Sequence, residues 1–536
     1  MIPRVIHQTW RDSDVPESLS AYADTWRAHH PRWTYRLWTD ADLADLVETR
    51  FPELAAMFHG YPKAIMRVDL GRYLVLKAEG GVYADLDAEA LGPWDGLSTA
   101  DRPVFFEEPA SHAAAENVDR RGFVRIVSNA LIASPPGHPF WDHLVALLFR
   151  CRHARSPLDA TGPFVLTAAI EQAPAAVAPE VLPAGLAARR DNTGVALADD
   201  GAAETRAPLA DHHWAGTWWR DGGDWPSGFF DIPPPKESWP RRIRRHVAER
   251  RLTATVAAAR TLDPDTPPPR GARVLVAVVV PDAAQRFDMF LAALDGLGHP
   301  RDSISLAITV SGGATAGFRQ LRAAARTLSG RFARLSLHRE RWPVDVRQTG
   351  NAPSGERARR AQLARMRNRL LRRALGDEDW VLWLDPGVTG LPPDLISRVT
   401  AANARIVQPN TVVTPGGPTA DTRCWLSEFT LDEESMRPYR FDGLYLPPTG
   451  YARLYPSDLR YRDRMALDSV GGGALLVNAG LHRAGVFFPE APYRALIDTE
   501  GFGAILRDRG FDIAGLTDLE VICADTHPSG SEVIRA

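Results

Sequence analysis

The residues of this chain best suited to chemistry are two aspartates, Asp85 and Asp87, separated by one leucine. They follow a short apolar segment, Val82–Ala84, that is typical of a buried strand. Residues two apart on an extended chain point the same way, so both carboxylates face one side at the end of that strand. Two converging carboxylates repel each other unless a cation lies between them. Mg²⁺ or Mn²⁺ bound together with a diphosphate satisfies that requirement.

A charged pair precedes these aspartates in the sequence. The segment Ala64–Ala78 has apolar residues at helical spacing and is followed by Gly80-Gly81. Asp69 and Arg72 are three residues apart, so they share one face of the predicted helix. The helix is apolar enough to be buried, and a buried acid and base need partners, either each other or a ligand.

The second half of the chain contains a related but incomplete pattern. The strand signal Trp380–Leu384 ends at Asp385, but Gly387 stands where the second aspartate of an Asp-x-Asp would be. One acid without a partner makes a poor metal site. Arg367, on the predicted basic helix Glu356–Leu375, is a candidate phosphate contact, and a solvated basic face is the alternative interpretation.

The elements that position these residues predict two α/β domains. In residues 1–230, helices alternate with short strands, which favours a largely parallel sheet. In residues 271–536 the order is again strand, helix, strand, with strands at Val274–Val280, Ile304–Val310 and Trp380–Leu384. We therefore predict two domains of similar architecture.

A linker, residues 231–270, separates the two halves. It contains two triplets of proline and, between Lys236 and Arg251, seven lysines or arginines. A solvated connecting helix is one interpretation of this charge run. The other is a basic patch, residues 236–251, that contacts anionic lipid or an anionic acceptor carrier.

Composition excludes several classes of function. The 536 residues carry a net charge of only −3, which gives no support for a nucleic-acid partner. The three cysteines are far apart and form no CxxC pair, which argues against a disulfide framework or a structural zinc site. The first residues lack an apolar signal core. We predict a cytoplasmic protein, with peripheral contact at the inner membrane face through residues 236–251.

Six ordered motifs in the first half resemble the DXD-type sugar transferases of glycosyltransferase family 32. In chain order they are IPRVIHQTW, YRLWTDADL, MRVDLGRYLVLKAEGGVYADLDAEAL, SNALIASPPGHPF, TGP at 161–163 and HHWAGTW at 212–218. The resemblance covers nearly all of residues 1–220. It implies a GT-A fold, which is Rossmann-like and binds nucleotide-diphospho-sugars, together with a nucleotide-sugar donor, a divalent cation and retention of anomeric configuration.

The resemblance also implies the residues that hold the cation and carry out catalysis. Asp85 and Asp87 bind the metal, with Asp87 the more direct ligand. His213 completes the coordination, with its neighbour His212 as the rival and a structural histidine as the alternative. Trp218 donates its indole N–H to the departing phosphate.

Four further residues are implied to surround the donor. Trp10 contacts the nucleotide base, unless it is a core tryptophan. Asp69 accepts hydrogen bonds from ribose or donor-sugar hydroxyls, and Arg72 lies near the diphosphate or the sugar. A structural ion pair is the alternative for these two. Asn129 is a candidate for the donor or acceptor pocket.

The second half resembles the Anp1-type mannosyltransferases of glycosyltransferase family 62 over residues 273–525. The motifs are VLVAVVVPDA, LARMRNRLLRRAL, DWVLWLDPGVTGLPPDLI, IVQPN, LDSVGGGALLVNAGLHRAGVFFP and DTEGFGAILRDRGF. This resemblance implies a second GT-A domain that uses GDP-mannose, with Arg367, Asp385 and Glu500 at its cofactor site.

The second half departs from that family at two positions. Gly387 replaces the second aspartate, and Cys523 replaces a histidine, although His527 lies close in sequence. The domain is therefore expected to be metal-independent, to use Asp385 with His527, or to be an inactive domain that binds acceptor glycan.

These observations predict a retaining glycosyltransferase that moves mannose from GDP-mannose to a glycan acceptor during surface-polysaccharide or glycan synthesis. A UDP-sugar is the competing donor. One alternative is a UDP-sugar transferase whose second domain only binds acceptor. Another is a glycosylating effector that modifies a protein, and a non-enzymatic lectin is a further one, disfavoured by the intact Asp-x-Asp.

Overall fold

The chain is described by a computed structural model. It describes residues 1–197, 207–216, 273–280, 287–311, 330–340, 353–448 and 450–524, with four isolated positions between 319 and 328. The chain divides into two compact units. One comprises Met1–Pro226 with Asp458–Arg462, and the other comprises Ser227–Ser457 with Asp463–Ala536. The predicted linker, residues 231–270, lies outside the described residues.

A mixed sheet of six strands forms the centre of the first unit. The strands of this unit are β1 (Val5–Thr9), β2 (Thr34–Trp38), β3 (Gly81–Ala84), β4 (Ala88–Ala90), β5 (Val104–Glu107), β6 (Val127–Ser134), β7 (Glu180–Leu182) and β8 (Ala210–His212). The sheet order is β2-β1-β3-β6-β5-β7, and β4 pairs with β8 in a separate ribbon. Strands β2, β1 and β3 are parallel, but β6 runs antiparallel to both β3 and β5. The predicted largely parallel sheet is therefore interrupted at β6, and β5 and β7 are again parallel.

Eight α-helices are described in the first unit. They are α1 (Glu17–His29), α2 (Asp40–Arg50), α3 (Ala55–Gly60), α4 (Ala64–Glu79), α5 (Ala110–Ala115), α6 (Phe140–Cys151), α7 (Pro157–Ala160) and α8 (Pro163–Gln172). Helix α2 is capped by Thr39, whose side chain accepts a hydrogen bond from the backbone of Asp42. Asp40 is the first residue of this helix.

Helix α4 is the element that the apolar spacing predicted, and it leads directly into the strand before the two aspartates. It is buried almost without interruption from Asp69 to Leu76, which explains why its sequence is apolar on nearly all sides. The helix ends at Gly80, which has a φ of +66°. A Cβ there would lie 2.6 Å from the Pro136 ring, so glycine is required for both conformation and space.

The second unit is built on a sheet of nine described strands. The strands described in this unit, including those outside the main sheet, are β9 (Val274–Val280), β10 (Ile304–Ser311), β11 (Arg334–Glu340), β12 (Trp380–Leu384), β13 (Val388–Gly390), β14 (Ile406–Val412), β15 (Leu426–Ser427), β16 (Arg440–Phe441), β17 (Leu444–Tyr445), β18 (Arg453–Leu454), β19 (Arg464–Ala466), β20 (Ala474–Asn478) and β21 (Ile513–Cys523). The order is β11-β10-β9-β12-β20-β14-β21-β13, with β19 beside β21. Strands β9 and β12 are buried along their whole length, as expected for strands covered on both faces.

The helices described in the second unit are α9 (Phe287–Asp295), α10 (Pro353–Ala374), α11 (Leu395–Ala401), α12 (Glu433–Met436), α13 (Ala479–Arg483) and α14 (Asp498–Asp508). Helix α10 is the basic helix predicted before β12, and α11 begins after Asp394. Two short ribbons, β15 with β18 and β16 with β17, lie outside the main sheet. Each unit is thus a mixed α/β structure.

Two further properties follow from the described residues. All three cysteines are free, with Cys151 and Cys424 buried. Among the helices described, none combines the length and the apolar character needed to cross a bilayer.

Candidate metal and donor site

The turn that carries Asp85 and Asp87 is fixed by backbone hydrogen bonds. The amide of Asp85 donates to the carbonyl of Ala130 on β6 at 2.8 Å, which continues the β3–β6 pairing one residue beyond the strand. The amide of Ala88 donates back to the carbonyl of Asp85 at 3.0 Å and closes the turn. The backbone therefore holds the two carboxylates at the end of β3, where sequence spacing predicted them.

A distant segment completes this site. Strand β8 pairs antiparallel with β4, and the register places His212 opposite Ala88. The Nε2 atom of His212 lies 3.2 Å from Oδ1 of Asp87. The amide of Ala215 donates to the other oxygen of Asp87, Oδ2, at 2.8 Å. The pairing thus carries a histidine to the aspartates across more than 120 residues of sequence.

The prediction that His213 joins the aspartates is wrong, and its neighbour His212 does so instead. Adjacent residues on an extended segment point to opposite sides, so only one of the two can face Asp87. The Nε2 atom of His213 lies 3.1 Å from Oε2 of Glu89, and its ring stacks on Tyr22 with 4.4 Å between centroids. The backbone amide of His213 donates to the carbonyl of Asp87, so this residue still helps to hold the turn.

Asp85, Asp87 and His212 form a group that can hold a metal ion. One ligand atom from each residue lies within 4.8 Å of the others, and no other such group of three or more was found in the described part of the chain. Two carboxylate oxygens and an imidazole nitrogen suit a divalent cation such as Mn²⁺, which accepts both kinds of ligand. The donor set therefore fits the predicted cation.

The electrostatics of the cluster favour the ionised acid that a cation needs. Burial alone would raise the pKa of Asp87, but His212 and the amide of Ala215 outweigh it and bring that pKa to about 2. Burial raises the pKa of Asp85, opposed by Arg72 and reinforced by the charge of Asp87. The two aspartates thus repel each other, and a bound cation would relieve that repulsion.

Arg72 joins this cluster to the buried helix α4. Its Nη1 lies 3.1 Å from Oδ1 of Asp85, and its Nη2 lies 3.1 Å from Oδ1 of Asp69. The guanidinium also donates to the carbonyl of Asn129 at 2.8 Å and lies over the ring of Tyr83. Arg72 is therefore a buried cation shared by two carboxylates, beside the position where a diphosphate is predicted.

Asp69 lies beneath the cluster and is only 3% exposed. Its Oδ1 accepts hydrogen bonds from Asn129, and its Oδ2 accepts one from the hydroxyl of Thr161, each at 3.0 Å. Burial raises its pKa to about 6, against the opposing effects of Arg72 and Thr161. Both oxygens are thus bound by the protein, and Asp69 orients Arg72. Its predicted contact with ribose or sugar hydroxyls stays a prediction.

Asn129 is held in the same network. Its side-chain amide donates to Asp69 and to the hydroxyl of Tyr73, while its backbone carbonyl accepts from Arg72. It lies on β6, beside the strand that carries the aspartates. Its predicted place near the donor pocket stays a prediction, and the structure gives it a positioning contact with Arg72.

Of the two tryptophans predicted at the donor site, Trp10 lies within the described residues and Trp218 does not. Trp10 follows β1, packs against the small cluster of Leu19, Ala23 and Leu86, and lies beside the guanidinium of Arg11. Its indole N–H is buried and has no hydrogen-bond partner among the described residues. Trp218 lies outside the described residues, so its contact with the departing phosphate stays a prediction.

In the second unit, Asp385 has a glycine, Gly387, at the position where the first unit has its second aspartate. It follows β12, and its Oδ1 accepts a hydrogen bond from the amide of Gly387 at 2.8 Å. The β13–β21 register places Cys523 opposite Val388. Burial raises the pKa of Asp385, and the nearby charge of Asp421 raises it further. His527 lies outside the described residues.

Two other residues predicted at the second site are occupied by ion pairs. Arg367 binds both carboxylate oxygens of Asp498, a buried residue with a φ of +57°. Glu500 is 2% exposed and is bound by Arg360, Arg453 and the indole N–H of Trp425. Glu500 is therefore a buried carboxylate held by two arginines and a tryptophan, and its predicted place at the cofactor site stays a prediction.

Comparison with known proteins follows the division of the chain. Residues 16–102 match the family model described as "Glycosyltransferase sugar-binding region containing DXD motif". Residues 263–437 match the Anp1 family model. Both halves match glycosyltransferase families. The two predicted resemblances are therefore confirmed, although each matched region is shorter than the resemblance predicted from motifs.

Individual relatives are fungal mannosyltransferases and their complexes. Inositol phosphoceramide mannosyltransferase 1 of Schizosaccharomyces pombe is 33% identical over 156 residues, which is 28% of this chain and 44% of that protein. The mannan polymerase complex subunit mnn9 of the same yeast is 33% identical over 173 residues, covering 30% and 51%. The initiation-specific alpha-1,6-mannosyltransferase of Candida albicans is 33% identical over 100 residues, covering 17% and 26%. The chain thus spans about half the length of the first two relatives and about a quarter of the third.

Proposed function

We propose that this chain is a retaining glycosyltransferase that takes mannose from GDP-mannose, and that the transfer occurs in the first unit. The observation that carries this proposal is the convergence of Asp85, Asp87 and His212, with Arg72 beside them, within a region that matches the DXD family model. The mannosyltransferase relatives favour mannose over other sugars. We also propose that each unit has the GT-A architecture.

The residues of the first unit divide the work of the transfer. Asp85, Asp87 and His212 would hold a divalent cation, which supplies positive charge next to the leaving diphosphate. Arg72 is charged at any physiological pH and adds a second, fixed positive charge beside Asp85. Asp69 and Asn129 keep that guanidinium in place, so no reorganisation is needed when charge develops on the leaving group.

The transfer itself requires no general-base dyad. The bond between the anomeric carbon and the diphosphate oxygen breaks, and an acceptor hydroxyl oxygen bonds to the same face of that carbon. The hydroxyl proton passes to the departing phosphate, which leaves GDP and a mannosylated glycan acceptor. Retention therefore follows from attack on the face that the diphosphate leaves.

The second unit supports a subordinate proposal, that it binds acceptor glycan or works without a divalent cation. Gly387 and Cys523 remove two of the three ligands present in the first unit. A UDP-sugar remains the alternative donor. Location in the cytoplasm and contact with a membrane through residues 236–251 stay predictions.

Donor hydrolysis tests the proposal directly. Purified chain would be incubated with GDP-mannose and a panel of UDP-sugars, with and without Mn²⁺, and nucleotide release would be measured. We expect Mn²⁺-dependent release from GDP-mannose, reduced at least about 100-fold in Asp87→Ala, because a cation contributes several kcal/mol to such a reaction. Asp385→Ala is the matched control and should retain this activity.

Two results would contradict the proposal. Full activity in Asp87→Ala would remove the metal cluster from the reaction. Loss of activity only in Asp385→Ala would place the transfer in the second unit.

A further inference from the structure

The hydroxyl of Tyr83 contacts one of the predicted metal ligands, although no motif pointed to it. It donates a hydrogen bond to Oδ1 of Asp85 at 2.8 Å. The same carboxylate oxygen receives Nη1 of Arg72 at 3.1 Å. No hydrogen bond to the other oxygen, Oδ2, is found from any described residue. Asp85 is therefore held through one oxygen, and its second oxygen is left for a ligand.

Thr9 is the second partner of the Tyr83 hydroxyl. Its Oγ1 lies 2.8 Å from the hydroxyl of Tyr83, at the end of β1, the strand parallel to β3. A tyrosine hydroxyl has a single proton and can accept as well as donate. When Thr9 donates to it, the proton of Tyr83 is directed to Asp85. Tyr83 is fully buried.

Asp87 is anchored in the same manner. The amide of Ala215 holds its Oδ2, and its Oδ1 faces His212. Each aspartate thus has one oxygen fixed by a donor from the protein. Hydrogen bonds of this kind orient metal ligands and raise their affinity for the ion.

The second unit provides an internal comparison. Trp383 occupies the position two residues before Asp385 that Tyr83 occupies before Asp85. Its indole nitrogen is buried with no hydrogen-bond partner among the described residues. Asp385 is bound instead by the amide of Gly387, within its own turn. The tyrosine is thus absent from the unit that also lacks the second aspartate and the histidine.

We infer that Tyr83 is a positioning residue for divalent-cation binding, whose hydroxyl fixes Asp85 so that its free oxygen points to the ion shared with Asp87 and His212. Thr9 supports it from the neighbouring strand. This inference rests on the proposed function of the first unit, because it assumes that the cluster binds a cation.

The test is direct titration of the full-length chain with Mn²⁺, followed by the loss of the electron paramagnetic resonance signal of the free ion, alone and with GDP. Tyr83→Phe keeps the ring over Arg72 and removes only the hydroxyl. We expect its Mn²⁺ dissociation constant to rise about 10-fold or more. The Mn²⁺ concentration needed for half-maximal donor hydrolysis should rise by the same factor.

Tyr73→Phe is the matched control. Its hydroxyl is also buried and bonded, to Asn129 and Thr161, but it does not touch Asp85. It should bind Mn²⁺ within about twofold of the unaltered chain. If Tyr83→Phe does not fold, Thr9→Val replaces it, and an unchanged Mn²⁺ affinity in that variant counts against the inference. Thr9→Ser keeps the hydroxyl and should restore binding.

Asp87→Ala separates the two levels of the proposal. If it still binds Mn²⁺ with full affinity, the cluster is not the cation site and the proposed function fails. If Asp87→Ala loses binding while Tyr83→Phe keeps it unchanged, the proposed function stands and the inference about Tyr83 is overturned.

Discussion

The Asp85–Ala88 turn of the first unit and the Asp385–Val388 turn of the second have the same backbone frame and different side chains. The amide of the leading aspartate donates to the neighbouring strand in each, at 2.8 Å in one and 2.9 Å in the other. Each turn closes with a bond from the fourth residue back to the first, at 3.0 Å and 3.1 Å. A short strand then pairs antiparallel with a later one.

The correspondence extends to the distant ligand. In the first unit His212 lies opposite Ala88, and in the second Cys523 lies opposite Val388. The next amide along the chain donates to the carbonyl of the third turn residue in both units. Backbone structure therefore does not decide which unit can hold a cation. The side chains at two positions of a shared frame distinguish the units, Asp87 against Gly387 and His212 against Cys523.

Giving the first turn the side chains of the second tests whether those side chains account for the difference between the units. We expect Asp87→Gly combined with His212→Cys to lower Mn²⁺-dependent donor hydrolysis about 1000-fold, since about 4 kcal/mol of charge stabilisation is lost. Glu89→Thr copies another difference between the two turns and serves as the control, because Glu89 contacts only His213 in the cluster region. Retained activity in the double variant would show that the comparison is misleading.

The reverse exchange would build a cation site in the second unit. Gly387→Asp with Cys523→His, introduced into an Asp87→Ala background, should create binding of one Mn²⁺ per chain. We expect a dissociation constant on the order of 1 mM, about −4 kcal/mol, because Asp385 is still bound by its own turn and Trp383 gives it no hydroxyl. Paramagnetic resonance titration measures it. The single variants should bind at least about 10-fold more weakly.

Replacing each of the two neighbouring histidines by alanine should have a smaller effect, and it tests the register between β4 and β8. His212→Ala should raise the Mn²⁺ dissociation constant about 10-fold to 100-fold, because it removes the nitrogen beside Asp87. His213→Ala should change it less than about twofold, because its ring faces Glu89 and Tyr22. Equal effects would mean that the β4–β8 register differs in solution.

The parts of the site that sequence could predict are those set by local spacing. The Asp-x-Asp after a buried strand, and Asp69 and Arg72 on one helical face, depend only on residues within one turn or one strand. The choice of His212 over His213 depends on the register of β4 with β8, which are far apart in sequence. The hydrogen bonds that Asp69 receives from Asn129 and Thr161 likewise depend on contacts between distant elements. Tyr83 stands two residues before Asp85, a spacing that places both side chains on one side of the strand.

The same limit explains the errors in the fold. Strands β9 and β12 and helix α4 are dense apolar segments, and their bounds follow from the sequence. The direction of β6 cannot be predicted from its own residues, because a parallel and an antiparallel neighbour of β3 would bury the same apolar side chains. Glu500 and Arg367 look like ligand contacts in a motif, yet each has a partner from a distant segment.

The smallest expected effect concerns the buried carboxylates Asp69 and Glu500, which should give the two units opposite responses to pH. Burial raises the pKa of Asp69 to about 6, so the folded state binds more protons than the unfolded state between about pH 4 and pH 6. Stability of the first unit should therefore fall as pH rises through that window. Burial of Glu500 is outweighed by Arg360 and Arg453, which lower its pKa. Its contribution should be present above its ordinary pKa and be lost as pH falls through the lowered one.

Hydrogen exchange of peptides from α4 and α14, corrected for the intrinsic rate at each pH, measures both slopes in one chain. We expect Asp69→Asn to flatten the slope at α4 only, and Glu500→Gln to flatten the slope at α14 only. The sign of each slope is the quantity to be compared. Slopes of the same sign in both units would mean that Arg72 compensates the buried Asp69 as fully as two arginines compensate Glu500. In that case the two charge networks would be electrostatically equivalent, and the difference between the units would lie in the two ligand positions that differ.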